Sequence, residues 1–270
     1  MLKLEHIAKT FNPGTINEKH AIRDLSLELA DGDFVTVIGG NGAGKSTLLN
    51  AVAGVWPVDA GSIFIGGEDV TGMPEYKRAQ FIGRVFQDPM MGTAPNMQIE
   101  ENLALANRRG KRRGLRWGVT QTERENYRQL LTGLGLGLEK RMTAKVGLLS
   151  GGQRQALTLL MATLVTPKLL LLDEHTAALD PATAEKVLEL TKSIVAEKKI
   201  TCLMVTHNMH QALELGNRTL MMDGGRIVFD VKGEERSKMT VDDLLEKFRE
   251  NAGKALDNDR ILLSKVEAGS

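Results

Sequence analysis

Apolar and polar residues alternate over two stretches near the start of the chain, LKLEHIAKTF at residues 2–11 and IRDLSLELA at residues 22–30. A period of two predicts strands with one buried face, and the polar segment NPGTINEKH between them predicts a loop. The next run, DFVTVIGG, is apolar without alternation, so we expect a buried strand that leads into a helix over KSTLLNAVAGV. GSIFIGGEDV then predicts a hairpin that turns at Gly66 and Gly67.

The pattern changes at about residue 95, where charged segments of helical period begin and continue to residue 147 without a strand. Strands and helices alternate after that: a helix GGQRQALTLLMATL, a strand KLLLLD, a helix ATAEKVLELTKSIVAEK and a strand ITCLMVTH. A hairpin TLMMDGGRIVFD and one more helix, TVDDLLEKFRE, follow. This order predicts an α/β fold with a parallel sheet, an antiparallel β edge and an inserted helical subdomain.

Composition narrows the class of protein. The 35 basic and 34 acidic side chains leave almost no net charge, which argues against a generic nucleic-acid-coating protein. The one cysteine, Cys202, excludes a disulfide scaffold and favours a reducing compartment. The N-terminus lacks the apolar core of a secretion signal, and the longest apolar region is interrupted by Pro167 and Lys168. We therefore expect a cytoplasmic protein unless a partner anchors it.

A phosphate-binding loop is predicted at GGNGAGKST, residues 39–47, between the buried strand and its helix. This spacing and context are typical of a P-loop, in which glycines let backbone N–H groups face the phosphates. Lys45 would neutralise phosphate charge and the Ser46 hydroxyl would bind Mg²⁺. The predicted nucleotide-binding residues are Gly39, Asn41, Gly42, Ala43, Gly44, Lys45, Ser46 and Thr47.

A carboxylate pair follows the four leucines of KLLLLDE. In a nucleotide site, Asp173 would face the metal through its water shell, and Glu174 would accept the proton of a water aligned behind the γ-phosphate. The alternative is that the two acidic residues cap the next helix.

The segment LLSGGQRQAL, residues 148–157, predicts a second anion site, because a glycine turn runs there into a helix whose first turn carries a serine hydroxyl and backbone N–H groups without intrahelical partners. One triphosphate needs only one phosphate-binding loop, so this second anion site requires another explanation.

Taken in order, these motifs resemble the nucleotide-binding subunit of an ABC transporter over residues 1–230. The match includes Phe11 before the second strand, the loop at 39–47, Gln87 in VFQD, LSGGQ at 149–153, Asp173 with Glu174, ALD ending at Asp180, and His207 in VTH. The resemblance implies that Phe11 stacks on adenine, that Gln87 contacts Mg²⁺ together with Ser46 and Asp173, and that His207 holds the attacking water. Glu174, His207 and Gln87 are thus the expected catalytic residues.

The resemblance also answers the question of the second anion site. It implies a head-to-tail homodimer in which Ser150, Gly151, Gly152 and Gln153 of one chain, with Asp180, bind the ATP held by the loop of the other. Further expected partners are membrane permease subunits and an extracytoplasmic solute-binding protein, with no nucleic acid. The chain would lie peripherally at the cytoplasmic face of the membrane and would power import of amino acids or similar small polar solutes.

The expected domains are an ATPase domain at 1–236, with its helical insertion at about 90–155, and a C-terminal helix and tail at 237–270. Two alternatives remain open: a soluble ABC-type ATPase in a process other than transport, and a nucleotide switch that does not hydrolyse ATP. Glu174 argues against the switch.

Three features depart from the family pattern or lie outside it. DEHTAALD differs from the usual DEPTSALD at His175 and Ala177, and we expect His175 to face solvent, although it could instead shift the pKa of the neighbouring Glu174. Tyrosine is more usual than phenylalanine at position 11. The basic stretch RRGKRRGLRWG at 108–118 is interpreted first as a solvated loop, then as a contact for anionic lipid headgroups and last as a nucleic-acid site.

Overall fold

Residues 1–111 and 118–251 are described by the computed structural model, which divides the chain between two units. The first unit joins Met1–Arg78 to the chain from Thr201 onward, and the second comprises Ala79–Ile200. No helix in the described residues is both long enough and apolar enough to span a bilayer.

The first unit starts with five strands and two helices. They are β1 (Leu2–Phe11), β2 (Lys19–Leu29), β3 (Phe34–Ile38), α1 (Lys45–Ala53), β4 (Ala60–Ile65), β5 (Glu68–Asp69) and α2 (Glu75–Arg78). An antiparallel sheet has the order β2-β1-β4-β5. The two longer strands of this sheet, β1 and β2, each bury one face. The alternation of apolar and polar residues in the sequence thus predicts these strands correctly.

The described residues of the second unit form a pair of strands and four α-helices. Its elements are β6 (Ile82–Val85), α3 (Ile99–Asn107), α4 (Gln121–Gly133), α5 (Gly151–Leu164), β7 (Leu169–Asp173) and α6 (Pro181–Lys198). β6 and β7 are parallel and pair in register from Ile82 with Leu169 to Val85 with Leu172. The apolar faces of α3, α4 and α5 share one core that includes Ile99, Tyr127 and Leu157.

The chain returns to the first unit with β8 (Thr201–Val205), α7 (Met209–Glu214), β9 (Arg218–Asp223), β10 (Arg226–Lys232), α8 (Gly233–Lys238) and α9 (Val241–Asn251). β3 lies between β8 and β9 and is parallel to both, while β10 pairs antiparallel with β9. All five residues of β3 are buried. Leu244 and Phe248 of α9 pack with Met209 and Ala212 of α7, so the C-terminal helix covers the short helix that follows β8.

The α/β class with parallel strands and an antiparallel edge is confirmed, but one strand was not predicted. β6 has only four residues, and Gly83 and Arg84 interrupt its apolar pattern. Gly83 is required because a β-carbon there would lie 2.5 Å from the carbonyl oxygen of Ala162. β8 ends at Val205, so the expectation that His207 ends this strand is corrected by two residues.

Three helices have their C-terminal carbonyl groups bound by arginine side chains. Arg78 donates to Ala51 and Val52 at the end of α1. The other two arginines act in the same way. Arg109 donates to Ala162 and Val165 at the end of α5, and Arg236 donates to Ala212, Leu215 and Gly216 at and just after the end of α7. Burial lowers the pKa of each of the three. Since the last carbonyls of a helix lack intrahelical donors, these arginines satisfy them.

The same contacts correct part of the interpretation of the basic stretch. Arg108 pairs with Glu123 and donates to the Ala104 carbonyl, and Arg109 is half-buried, so neither belongs to a solvated loop. Residues 112–117 lie outside the described part of the chain.

Arg78 gives the clearest test of this capping. It is 2% exposed and also donates to the carbonyls of Thr71 and Met73. Arg78→Met would leave two buried and two partly buried carbonyl oxygens without these donors, so we expect the free energy of unfolding to fall by about 3 kcal/mol. Urea denaturation measures this change. Arg249→Met on the exposed face of α9 is the control, and an equal loss in both variants would show that Arg78 has no special role.

Candidate functional site

The phosphate loop connects β3 to α1 in the first unit. Gly42 and Gly44 have φ angles of 80° and 104°, in the left-handed region that glycine adopts without a β-carbon clash. Gly44 occupies the N-cap position of α1 and, as a glycine, supplies no side-chain cap. The first-turn amide groups of α1 therefore follow a glycine that has no side-chain oxygen to bind them, and amide groups at a helix start of this kind suit an anion.

The loop also lies very close to neighbouring backbone. A β-carbon on Gly39 would lie 2.3 Å from the carbonyl oxygen of Met222, and one on Gly44 would lie 2.5 Å from that of Ala21. Gly225, in the turn between β9 and β10, donates its N–H to the Ala43 carbonyl. The path of the loop is thus fixed by the strands around it.

Lys45 and Ser46 begin α1 with different exposures. Lys45 is 5% exposed and its Nζ donates to the carbonyls of Gly39 and Gly40, at 2.7 and 2.9 Å. Ser46 is exposed. The ammonium group thus folds back over the loop while the serine side chain remains accessible, as a metal-binding hydroxyl requires.

His207 belongs to the same unit and lies between β8 and α7. The Thr206 hydroxyl donates to Oε1 of Gln211, and Asn208 caps α7 by accepting the Gln211 N–H. These bonds fix the backbone on both sides of the half-buried histidine.

In the second unit, the carboxylate pair stands where β7 ends. Asp173 is the last residue of the strand, and Glu174 has a φ of 44°, a left-handed conformation that is unfavourable for a residue with a β-carbon. The Ala177 N–H donates to the Glu174 carbonyl and closes a turn. Strained backbone of this kind is enriched at functional sites.

Asp180, rather than the carboxylate pair, caps the next helix. Its side chain accepts the Thr183 N–H at 3.1 Å, and Pro181 follows as the first helical residue. The hydrogen bonds from Thr183 hold the pKa of Asp180 below its ordinary value. The alternative interpretation of Asp173 and Glu174 as helix caps is therefore wrong.

The segment before α5 forms a capped helix start with exposed residues. Ser150 Oγ accepts the Gln153 N–H, and Gln153 Oε1 accepts the Ser150 N–H, so the two form a capping box. Ser150 and Gly151 are exposed. Gly152 is buried, and a β-carbon there would lie 2.0 Å from Cγ2 of Thr183. Only glycine therefore lets α5 approach the start of α6 this closely.

Gln87 is exposed two residues after β6. The residue before it, Phe86, accepts a hydrogen bond on its carbonyl from Nε2 of Gln155, which is fully buried in α5. The helix that begins at Ser150 thus holds the backbone next to Gln87. Gln155 was not predictable from the sequence, since a single glutamine on a helix gives no sign of this contact.

His175 is buried, with 1% of its surface exposed, so the expectation that it faces solvent is wrong. Its Nε2 lies 3.0 Å from the hydroxyl of Thr191, which itself donates to the Val187 carbonyl. Because the hydroxyl has one hydrogen, Nε2 is the protonated nitrogen. The described residues offer Nδ1 no hydrogen-bond partner. The imidazole is therefore neutral, and its hydrogen bond to Thr191 connects the loop after Glu174 to α6.

The glycine-rich loop lies between a buried parallel strand and a helix that starts with Lys45 and Ser46. This arrangement defines a P-loop nucleotide-binding protein. Comparison with known proteins gives the family. The family model described as ABC transporter matches residues 22–177. The chain therefore belongs to the ABC transporter family, and it is an ATP-binding cassette of the ABC ATPase type.

Two relatives cover almost the whole chain. It is 48% identical to the tyrosine transport ATP-binding protein of Clostridioides difficile, over 92% of this chain and 98% of that protein. It is 31% identical to the methionine import ATP-binding protein MetN 2 of Enterococcus faecalis, over 98% of this chain and 75% of that protein.

Solved structures show the same fold. The dimeric structure of the ATP-binding cassette MJ0796 in a post-hydrolysis state, bound to ADP and Pi, has a TM-score of 0.74 at 29% identity, over 86% of this chain and 98% of that one. The ADP conformation of the cassette MJ1267 has a TM-score of 0.75 at 27% identity, over 92% and 98% of the two chains.

The buried histidine predicts a pH dependence of stability. Burial lowers the pKa of His175 from 6.5 to about 4. Between these values the unfolded chain binds a proton that the folded chain does not, so stability falls as the pH falls through this window, by up to about 3 kcal/mol. We expect NMR to show a neutral His175 imidazole at pH 5.

Urea denaturation from pH 7 to pH 4.5 should then show a smaller loss of stability in His175→Gln than in the unmodified chain. The control is His210→Gln, which changes an exposed histidine of α7. Titration of His175 near pH 6.5 in the folded protein would contradict the buried, neutral assignment.

Proposed function

We propose that this chain powers the import of an amino acid through a separate membrane permease, by hydrolysing ATP in a head-to-tail dimer. The observation that carries the proposal is the pair of helix starts. α1 begins with an uncapped glycine inside the phosphate loop, and α5 begins with exposed Ser150 and Gly151. The first suits the chain's own nucleotide, and the second suits the nucleotide of a partner chain.

In this proposal the phosphates of ATP bind the N–H groups of residues 39–47, and Lys45 exchanges its loop carbonyls for phosphate oxygens. Phe11 stacks on adenine. Glu174 accepts a proton from the attacking water, and His207 and Gln87 orient that water. The products are ADP and inorganic phosphate, formed when the bond between the β–γ bridging oxygen and the γ-phosphorus breaks.

Magnesium would be held by Ser46, Gln87 and Asp173 together with phosphate oxygens and water. This set of oxygen donors with one carboxylate, Asp173, fits a Mg²⁺ ion, which keeps several waters and binds through one or two carboxylates plus substrate phosphates. Two of these side chains, those of Ser46 and Gln87, are exposed. When bound, the ion would neutralise charge that develops on the phosphates.

Ser150, Gly151, Gly152, Gln153 and Asp180 would complete the site of the partner chain. The capping box leaves the Ser150 hydroxyl able to donate its own hydrogen, because Ser150 Oγ acts in that box as an acceptor. A γ-phosphate would accept this hydrogen bond and so join the two chains. Hydrolysis would then separate them, because the products repel each other.

We assign the ATPase domain to residues 1–236, with a helical subdomain at about 90–155, and a C-terminal helix and tail to 237–270. The permease would dock beside Gln87, where Met90 and Met91 are 38% and 70% exposed. Flexible, exposed methionines suit an adaptable protein contact. This contact would hold the chain at the cytoplasmic face of the membrane, in a system with an extracytoplasmic solute-binding protein.

The role of Glu174 predicts a specific failure. Glu174→Gln cannot accept the proton of the attacking water, so we expect the ATPase rate to fall by about 1000-fold and the ATP-bound dimer to accumulate. Size-exclusion chromatography with Mg²⁺-ATP should show twice the mass of the nucleotide-free chain. Glu185→Gln on the exposed side of α6 is the matched control. Hydrolysis at the unmodified rate by Glu174→Gln would reject the base assignment.

The solute is proposed from the relatives. The 48% identical relative is named for tyrosine transport and the 31% identical one for methionine import, so an amino acid is the proposed cargo and tyrosine the first to test. We expect cells that lack this chain to take up labelled tyrosine slowly, and the unmodified chain, but not Glu174→Gln, to restore uptake. Methionine uptake measured in parallel tests specificity. Unchanged uptake of both amino acids would reject the amino-acid assignment and leave the ATPase assignment in place.

A further inference from the structure

A second aromatic residue packs against the ring that is proposed to stack on adenine. The ring centroids of Phe11 and Trp56 lie 4.9 Å apart, and the ring planes meet at 82°. This is the edge-to-face arrangement that aromatic pairs favour. Both residues are half-buried, so Trp56 restricts the orientation of a ring that still has surface available for a ligand.

The backbones that carry the two rings are joined by Asp59. Its carboxylate accepts hydrogen bonds from Lys9 Nζ at 2.8 Å and from the Thr10 N–H at 2.6 Å, and its own N–H donates to the Ala8 carbonyl at 2.8 Å. The hydrogen bond from Lys9 is the main cause that holds the pKa of Asp59 below its ordinary value. The end of β1, where Phe11 lies, is therefore fixed to the segment that follows Trp56.

The aromatic pair is also linked to the phosphate loop. Phe11 pairs with Lys19 across β1 and β2, and the Lys19 ammonium group lies beside Gly42, since a β-carbon built there would be 3.5 Å from Nζ. Phe11 is thus the direct strand partner of Lys19, and the side chain of Lys19 reaches the phosphate loop. A nucleotide with its phosphates on the loop has a base-stacking surface close by in the same unit.

We propose that Trp56 is a positioning residue for the nucleotide base: it holds the Phe11 ring in the orientation that stacks on adenine. This rests on the proposed role of Phe11. Loss of Trp56 should therefore weaken the interaction of the protein with the base of the nucleotide and leave its interaction with the phosphates unchanged.

Isothermal titration with Mg²⁺-ATP and with Mg²⁺-tripolyphosphate, which has no base, tests the proposal. We expect Trp56→Leu to lower the affinity for ATP about fivefold and to leave the affinity for tripolyphosphate unchanged. Trp56→Phe should restore most of the affinity for ATP, because it keeps an aromatic partner. Tyr76→Leu is the control, since it removes an aromatic ring that is 75% exposed in the same unit.

A double-mutant cycle tests whether Trp56 acts through Phe11. If it does, Trp56→Leu added to Phe11→Ala should weaken ATP binding no further than Phe11→Ala alone. Additive losses would reject the positioning role.

Tryptophan fluorescence gives a second readout, because the sequence contains only Trp56 and Trp117. In a Trp117→Phe background the emission comes from Trp56, and we expect ATP to change it and tripolyphosphate to leave it unchanged. Equal responses to both compounds would reject the proposal.

The outcomes distinguish the proposed role of Trp56 from the proposed role of Phe11. If Phe11→Ala lowers ATP affinity and Trp56→Leu does not, the role of Trp56 is rejected and that of Phe11 stands. If neither variant changes ATP affinity, adenine stacking at this position is rejected. Failure of the unmodified chain to bind either compound would reject the phosphate site itself.

Discussion

The close packing of backbone around the phosphate loop is the constraint on which the first unit depends. The loop passes the carbonyl groups of Ala21 and Met222 at distances that exclude a β-carbon on Gly44 and Gly39. β2, β9 and the turn at Gly225 therefore surround the loop and fix its path. The direction of its N–H groups is thus set by folding, before any nucleotide binds, and preorganised donors bind charge without a cost of reorganisation.

Arginine side chains provide a second constraint at the opposite ends of the functional helices. α1 follows the phosphate loop, α5 follows Ser150 and α7 follows His207, and each ends on carbonyls bound by a distant arginine. The guanidinium group suits this position because its five N–H donors reach several carbonyl oxygens at once. The N-terminal ends of these helices carry the candidate site, while their C-terminal ends are anchored to other elements.

Local patterns predicted most of the fold and the chemical type of the site. β3 and β7 are apolar throughout because they are buried, and the phosphate loop has a fixed spacing of glycine, lysine and serine. Contacts between distant residues were not predictable in this way. His175 looked like a surface histidine, yet its imidazole packs against Thr191, which lies on α6. The proposed role of Trp56 was likewise not predictable, since a single sequence does not show that its ring packs against that of Phe11.

The two helix starts that are proposed to bind phosphate differ in a way that suits the proposed site shared between chains. The start of α1 is buried at Gly44 and Lys45, and its N-cap residue, a glycine, supplies no side-chain cap. The start of α5 already has a capping box and is therefore stable without a ligand, while Ser150 and Gly151 remain exposed. A helix start that depended on the partner's nucleotide for its capping would lose that capping whenever the chains separate. The capping box removes this dependence, so in the proposed dimer α5 would keep its first turn intact when the two chains separate.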